Sequence, residues 1–347
     1  MKTHNSAKII LFLSVTLLSS CTTMLYTSLD VLRPAKITFD ASANQLLIVN
    51  NTVAQPVDYG HKTEFYNDKS RNVVQQTDSM PTYCLSVIYE ELGSSEFFND
   101  VQLHLNSVNN STDFFTVKAL EPDTIEALCK KYKSNVVLSL DRMKVNDKIA
   151  ELYDETNYSY YTALIARYES QWSVHYPGKD KYGTVIFRDT VFWDAESFQR
   201  KNALKALPER ADALIDGALY VGQNSVKRFL PYWEKVDRYF FSTNNKKMKE
   251  GMDSLYVKNW KAAISIWESA MAKSNMNLKA KLANNIAIAY ELTGDIEKAK
   301  ENVQKSLEYI QQDPMANAKH LAIINKYAIE LQNRNKEIEV IDKQLGN

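Results

Sequence analysis

The segment LIARYESQWSVHY, residues 164–176, alternates apolar and polar side chains over most of its length. Such alternation is typical of a β-strand that has one face on a core and the other in water. The turn sequence Pro177-Gly178-Lys179-Asp180 follows, and the alternation resumes between Val185 and Trp193. The two segments therefore predict a long antiparallel hairpin.

The region before the hairpin alternates short apolar runs with helical patterns. The order strand, helix, strand, helix, strand is typical of a layered α/β fold. After the hairpin, the apolar spacing from residue 197 to about residue 239 predicts helix with an interruption at Pro231. The predicted elements before the hairpin are a strand at 45–50, a helix from Ser79-Met80-Pro81 to Gly93, a strand around 101–105, a helix starting near Pro122-Asp123 and a strand at 136–140.

The C-terminal part repeats its small residues at a spacing of thirty-six. Gly251 corresponds to Ala287, Ala263 to Ala299 and Ala270 to Ser306. Small residues at fixed offsets allow paired helices to approach closely. The segment Asn285-Ile286-Ala287-Ile288-Ala289-Tyr290, followed by Gly294-Asp295 and Ala299, resembles a tetratricopeptide repeat. This resemblance implies two repeats over about 247–311, and residues 315–345 are predicted to form two further helices that cap the array.

The length and composition are sufficient for two folded domains. The chain has 347 residues, of which 45% are hydrophobic, so it can bury two cores. We predict an N-terminal α/β (α+β) domain over 37–241, with the hairpin and a C-terminal helix, followed by an all-α tetratricopeptide-repeat domain over 242–347.

Residues 1–20 have the pattern of a signal peptide. Lys2 and Lys8 precede an apolar run of about ten residues, which is too short to span a bilayer as a helix. The sequence Leu18-Ser19-Ser20-Cys21 resembles the lipobox of bacterial lipoproteins, which implies cleavage before Cys21 and attachment of acyl chains such as palmitate to it. The alternative is an ordinary secretory signal with an incidental cysteine. Residues 21–36 are then a tether, and the lack of a sorting aspartate favours the periplasmic face of the outer membrane.

The sequence offers little support for catalysis or for cofactor binding. Its 42 basic and 42 acidic side chains leave no electrostatic footprint for nucleic acid, and its nine glycines form no phosphate-binding loop. Acidic pairs are explained by solvated helix faces. We therefore predict no enzyme activity, no metal and no cofactor other than the lipid on Cys21. The four histidines after the signal peptide lie in unrelated contexts without metal-ligand spacing, at positions His61, His104, His175 and His320.

Two cysteines follow Cys21, and their state is left open by the sequence. Cys84 and Cys129 both lie on apolar faces of predicted helices, which favours buried thiols. A disulfide between them is the alternative, since the periplasm permits one.

The concave face of the repeats is the predicted partner-binding surface, around Met252, Asn285 and Ala289. Asn285 occupies the position at which carboxylate-clamp repeats have an asparagine. The other clamp positions are Met248 and Met252, which disfavours a terminal carboxylate and favours an apolar peptide. The alternative is that the chain's own α/β domain or capping helices fill this groove.

Several motifs along the mature chain resemble an uncharacterised family of Bacteroidetes lipoproteins with tetratricopeptide repeats. The motifs are Leu29-Asp30-Val31-Leu32-Arg33-Pro34-Ala35, Ile48-Val49-Asn50-Asn51, residues 172–177, Pro231-Tyr232-Trp233 and Arg238-Tyr239-Phe240. The α/β part is also distantly similar to periplasmic domains of the curli secretion lipoprotein and of the TolB N-terminal region. This likeness is one of topology, which is a poor guide to function.

Together these features predict a membrane-anchored, non-enzymatic scaffold that binds a protein or peptide partner in the cell envelope. The alternative is a subunit of an outer-membrane secretion or transport assembly that resembles the curli secretion lipoprotein. In that case the hairpin from Tyr161 to Trp193 would join a membrane barrel.

Overall fold

The computed structural model describes residues 23–67, 69–179 and 183–346, and the chain divides into two compact units. The α/β unit comprises the described residues of Pro34–Tyr232 together with residues 343–346. The helical unit comprises Thr23–Arg33 together with Trp233–Asp342. The division after Tyr232 precedes the predicted domain boundary at residue 241.

The chain order of the elements mixes strands and helices in the first unit and is mainly helical in the second. The strands are β1 (Thr23–Arg33), β2 (Gln45–Asn50), β3 (His61–Glu64), β4 (Ser70–Asn72), β5 (Asp100–His104), β6 (Val136–Asp154), β7 (Ser159–His175), β8 (Gly183–Ser197) and β9 (Tyr232–Ser242). The helices are α1 (Met80–Ser94), α2 (Pro122–Tyr132), α3 (Arg200–Ala206), α4 (Arg210–Phe229), α5 (Lys246–Tyr256), α6 (Trp260–Met271), α7 (Met276–Leu292), α8 (Ile296–Gln311) and α9 (Ala318–Leu345).

Strand β6 organises the sheet of the α/β unit. Its first residues run parallel to β2, with Leu46 opposite Val136, and β2 runs parallel to β5. Its later residues run parallel to β3, with His61 opposite Asp147. Along its other edge β6 is antiparallel to β7, which pairs in turn with β8. The predicted mixed α/β architecture and the long antiparallel hairpin are therefore confirmed.

The apolar runs of the sequence become the buried middle of this sheet. All four side chains from Leu46 to Val49 are fully buried, because helices cover both faces of β2. Helix α1 packs its apolar stripe, including Cys84 and Ile88, on one face together with α4. Helix α2 packs Ile125 and its neighbours on the other face.

A bulge at Asp141 changes which residues of β6 face the core. The register with β7 shifts between Leu140 and Arg142. Before the shift the even-numbered Leu138 belongs to the core beneath α1 and α4, and after it the odd-numbered Met143 does. An extra residue in one strand reverses the alternation in this way. The sequence prediction ended this strand at residue 140 and missed its second half.

The hairpin packs tightly against helix α4. Tyr168 is buried on the inner face of β7, and its hydroxyl donates a hydrogen bond of 2.8 Å to the backbone oxygen of Leu214. A Cβ atom at Gly217 would lie 2.1 Å from that hydroxyl oxygen. Glycine is therefore required at this position of α4 for the tyrosine to fit.

The helical unit contains two helix pairs, α5 with α6 and α7 with α8, that share local signals. The side chains of Asn245, Asn259, Asn275 and Asp295 each accept a hydrogen bond from the backbone N–H three residues later and so cap the four helices. The caps at Asn259 and Asp295 follow residues with positive φ, at 56° for Lys258 and 82° for Gly294. The small residues at the repeat spacing are all buried between the helices.

Three predicted segments differ from the structure. Residues 315–345 do not form two helices, because 318–345 contains no glycine or proline to interrupt the single helix α9. Residues 232–239 are not helical: they belong to β9, whose exposed and less exposed positions alternate with the period of a strand. The predicted tether contains β1, which pairs with β9 in a two-stranded ribbon.

Candidate functional site

The predicted partner groove is closed in the structure, which corrects the sequence prediction of an open surface there. Met252 is 3% exposed, and both Asn285 and Ala289 are fully buried. The space next to them is filled by the end of β9, where Phe240 and Phe241 are buried in the same apolar core. The alternative of a groove filled from within the chain is therefore correct, and the filling element is a strand rather than a helix.

Asn285 binds the backbone of β9 with both ends of its amide. Its Oδ1 accepts a hydrogen bond of 2.8 Å from the N–H of Phe241, and its Nδ2 donates one of 2.8 Å to the carbonyl of the same residue. Next to it, Asn284 Nδ2 donates to the carbonyl of Tyr239 at 3.1 Å. The amide of Asn285 thus contacts this edge of β9 as a neighbouring strand would, and neither backbone group of Phe241 is left unpaired.

Arg238 of β9 is held by a buried ion pair. Its guanidinium donates to both carboxylate oxygens of Glu291, at 2.7 and 2.8 Å, and the Tyr327 hydroxyl donates to the same carboxylate at 2.8 Å. Burial alone would lower the pKa of Arg238, but the hydrogen bonds and charge of Glu291 raise it above its ordinary value. Since a buried charge is costly without its partner, this pair specifies where β9 lies. The sequence left open whether Trp233, Arg238 and Tyr239 form a groove or pack at the junction of the predicted domains, and it favoured packing.

An uncovered apolar surface lies elsewhere, on the α/β unit. Beyond the bulge, the even-numbered residues of β6 and their neighbours on β7 and β8 face away from the core beneath α1 and α4. Leu152 is 61% exposed and Phe192 is 63% exposed on this side. A cavity of about 700 Å³ extends across it. We call this surface the open sheet face, and it is formed by Ala150, Leu152, Tyr161, Ala163, Ile165, Thr190 and Phe192.

The opposite side of the same strands is covered by helix. Glu151, on the covered side of β6, accepts two hydrogen bonds from Arg200 of α3, at 2.6 and 3.0 Å. Leu164 of β7 is fully buried, whereas its neighbour Ile165 on the open side is only half-buried. Within the described residues, the strands are therefore packed against helix on one side and uncovered on the other.

Cationic side chains border the open sheet face. A second cavity of about 420 Å³ adjoins it and is lined by Lys62, Lys148 and Arg167. Lys62 and Lys148 both pair with Glu64, at 2.5 and 2.7 Å, so one carboxylate serves two ammonium groups. The surface thus combines an apolar centre with a charged rim.

A buried pair of one histidine and one aspartate beneath this rim holds β3 in place. His61 Nδ1 lies 2.5 Å from Asp147 Oδ1, and the other oxygen of Asp147 lies 3.0 Å from the Arg210 guanidinium. The second ring nitrogen of His61 lies 3.3 Å from the amide nitrogen of Gln55. Both ring nitrogens are therefore occupied, so this histidine joins β3, β6 and α4 instead of facing a substrate.

A second polar cluster lies at the bulge of β6, beside the carboxyl end of β2. Asp141 accepts hydrogen bonds from Asn51, Ser139 and Ser173, at 2.9, 2.8 and 2.5 Å. Burial raises the pKa of Asp141, and these neutral donors offset only part of that effect. His175 lies 3.0 Å from the Ser139 hydroxyl, and burial lowers the pKa of its imidazole to about 4. The strand order changes direction here, which is the usual ligand position in open α/β sheets, but this cluster lies within the protein.

The other cysteines and histidines considered in the sequence lie in packed or hydrogen-bonded positions. Cys84 and Cys129 are buried free thiols, and burial raises the pKa of Cys84 to about 12. His104 hydrogen-bonds the Tyr132 hydroxyl at 2.8 Å, and His320 packs against the ring of Phe241.

Cys21, the predicted lipidation site, lies outside the described residues. Within residues 23–67, 69–179 and 183–346, no three histidine, cysteine or acidic side chains form a group that could hold a metal ion. In the same part of the chain, no helix combines the length and apolar character needed to cross a bilayer.

Comparison with known proteins identifies the family. Residues 43–241 match the family described as "Domain of unknown function (DUF8603)", and residues 249–333 match a second one described as "Domain of unknown function (DUF6340)". No curated protein matches the chain. A solved structure titled "Crystal structure of uncharacterized protein" is similar at 8% sequence identity and a TM-score of 0.22, over 56% of this chain and 99% of that chain. Because the first match covers more than half of its residues, the chain belongs to the DUF8603 family.

Proposed function

We propose that this protein is a non-enzymatic lipoprotein of the cell envelope, anchored by a lipid on Cys21 and acting as a protein-binding scaffold. Its position would be the periplasmic face of the outer membrane. The binding role rests on one observation: Leu152 and Phe192 are exposed on one face of a sheet whose opposite face is covered by helix. Contiguous exposed apolar patches with polar rims are typical of protein interaction sites.

The anchor is supported by the sequence Leu18-Ser19-Ser20-Cys21. Each buried acyl CH₂ contributes about 0.8 kcal/mol, so two or three chains hold a protein firmly. Cys21→Ala should abolish labelling by radioactive palmitate and move the protein out of the membrane fraction. Continued palmitate labelling of the variant would contradict the proposed anchor.

The scaffold role is tested at Phe192. A photo-crosslinking amino acid at this position should join the protein to a defined partner in intact envelopes, and Phe192→Asp in a chain crosslinked from Leu152 should abolish that product. Val74 provides the matched control, because it is 68% exposed but lies outside the open sheet face. Equal products from positions 192 and 74 would indicate unspecific contact and would contradict the proposal.

A secretion or transport assembly is the second candidate for the same surface. It is favoured by Tyr158 and Phe198, which are 72% and 79% exposed and extend the apolar surface at the far end of the hairpin. In that case crosslinks from Phe192 join several copies of this chain into one large complex in mild detergent. A scaffold gives instead a complex with a different protein.

We also propose that α5–α8 are two tetratricopeptide repeats. The support is the spacing of thirty-six residues between their small residues and between the caps at Asn259 and Asp295. Their concave side would then hold β9 in the way that such repeats hold an extended peptide.

A further inference from the structure

The ribbon of β1 and β9 in the helical unit has one buried and one exposed face. On the inner face Val31, Arg238 and Phe240 are at most 4% exposed. On the outer face Tyr26 is 72%, Trp233 is 69% and Tyr239 is 42% exposed. Two tyrosines and a tryptophan therefore share a surface that the described residues leave uncovered.

Side-chain contacts give the direction of the two strands. Ser28 donates a hydrogen bond of 2.7 Å to Asp237, and Arg33 donates one of 2.7 Å to Glu234. As residue numbers rise along β1 they fall along β9, so the ribbon is antiparallel. Tyr26 and Tyr239 consequently lie at the end of the ribbon where β1 begins.

That end is the one closest in sequence to the proposed lipid. Tyr26 is the fifth residue after Cys21, and a fully extended chain spans at most about 3.6 Å per residue, so Tyr26 lies within about 18 Å of the anchor. A bilayer anchored at Cys21 is therefore within reach of the outer face whenever the protein is attached.

We propose that the outer face of the ribbon, comprising Tyr26, Trp233 and Tyr239, rests in the headgroup region of the bilayer. This inference rests on the proposed lipid anchor. Tyrosine and tryptophan have an apolar body and a polar tip, and both are enriched at the depth where hydrocarbon meets water. The ribbon would fix the orientation of the helical unit on the membrane, which a flexible tether could not do.

The charges of this face indicate which lipids matter. The face carries Lys235 against Asp30 and Asp237, so it has no excess of positive charge. Attraction to anionic lipid contributes about 1 kcal/mol for each basic residue near the surface, and here it is offset by the two carboxylates. Contact should therefore depend on the aromatic side chains and form on neutral phosphatidylcholine.

The experiment couples the anchor chemically, so that it does not depend on lipidation in the cell. The mature chain is made without lipid, and Cys21 is joined to a maleimide lipid in phosphatidylcholine vesicles, since Cys84 and Cys129 are buried. Lipids brominated near the headgroup end of their acyl chains then quench any tryptophan at the interface. Trp233→Phe is compared with Trp260→Phe, which alters a half-buried tryptophan at the start of α6.

Quenching should occur in the coupled protein, largely disappear in Trp233→Phe, and remain in Trp260→Phe. Tyr26→Ser with Tyr239→Ser should also reduce the quenching of Trp233, because the ribbon then loses its aromatic contact at the anchored end. Equal quenching in Trp233→Phe and in the parent protein would overturn the proposal, as would its absence from the parent. If the outer face binds a protein partner instead of lipid, the parent protein shows no quenching on protein-free vesicles. Loss of natural lipidation would be detected separately by palmitate labelling of Cys21.

Discussion

The groove around Asn285 and the open sheet face differ in what occupies them. In the helical unit, the face predicted to bind a partner is filled by β9, with Asn285 pairing to Phe241 and Arg238 to Glu291. In the α/β unit, the face beyond the bulge leaves Phe192 and Leu152 in solvent. The difference shows that a repeat-like groove is not a free site merely because its sequence pattern is present. The chain itself can provide the extended segment.

The largest expected effect is a loss of stability of the helical unit when the ion pair that holds β9 is broken. Arg238→Ala leaves Glu291 buried without its ion-pair partner, which should cost about 3–5 kcal/mol of the free energy of unfolding of that unit. Hydrogen exchange followed by mass spectrometry should show faster exchange in α7 and α9 while β6 and β7 are unchanged. Lys298→Ala, which removes an exposed ion pair with Asp295, should have little effect. Unchanged exchange in α7 would show that β9 is not held by this pair.

Acid should destabilise the α/β unit, whereas the substitution of Arg238 destabilises the helical unit. The folded-state pKa of His175 is about 4, below its ordinary value of 6.5, so the unfolded chain binds a proton first as pH falls. Stability is therefore full above pH 6.5 and is lost between pH 6.5 and 4, by up to about 3 kcal/mol for the α/β unit. Asp141, whose pKa is raised, opposes part of this loss.

The measurement is the difference in hydrogen exchange of β2 and β6 between the wild type and His175→Gln, across that pH range. The difference should narrow as pH falls, because the glutamine does not titrate. Parallel profiles for the two proteins would assign the acid sensitivity to other groups.

A smaller effect is expected at Asn285. Asn285→Leu keeps the volume but leaves the N–H and carbonyl of Phe241 without partners, at a cost of about 2 kcal/mol. Exchange of the Phe241 amide should increase more than that of α5. Asn302→Leu, on the exposed side of α8, is the matched control. If both variants behave alike, the pairing of Asn285 with β9 contributes nothing to holding the strand.

The smallest effect on stability is expected at the open sheet face. Phe192→Asp should change the free energy of unfolding by no more than about 0.5 kcal/mol, because the side chain is already in water. Binding of the partner should nevertheless be lost. Urea unfolding monitored in the α/β unit tests the first statement. A marked destabilisation would mean that Phe192 packs in the native protein and is unavailable to a partner.

Much of the α/β unit could be predicted because its signals are local. The buried strand at 45–50, helices α1 and α2 and the hairpin all follow from apolar periodicity and turn residues. The second half of β6 was missed, because the bulge at Asp141 shifts the alternation by one residue and so hides the period. The repeated helix pairs were found from the spacing of small residues. Their caps are also local signals.

The sites were harder to predict because they depend on contacts between distant parts of the chain. Asn285 was predicted to lie in a partner-binding groove, but it pairs with Phe241 of β9, a strand of which residues 232–239 were predicted as helix. The open sheet face is apolar only in part, and its residues come from three strands. No local pattern shows which side of those strands a helix will cover.

The sequence by itself determined the layered α/β order, the hairpin and the repeated helix pairs, because each depends on residues close together in the chain. The anchor at Cys21 stays a prediction from the sequence. Tertiary structure alone decided that β9 closes the groove at Asn285 and that the side of β6–β8 carrying Phe192 remains open. Burial depends on which distant elements pack together, and in this chain it is settled by long-range pairs such as Arg238 with Glu291 and Arg200 with Glu151.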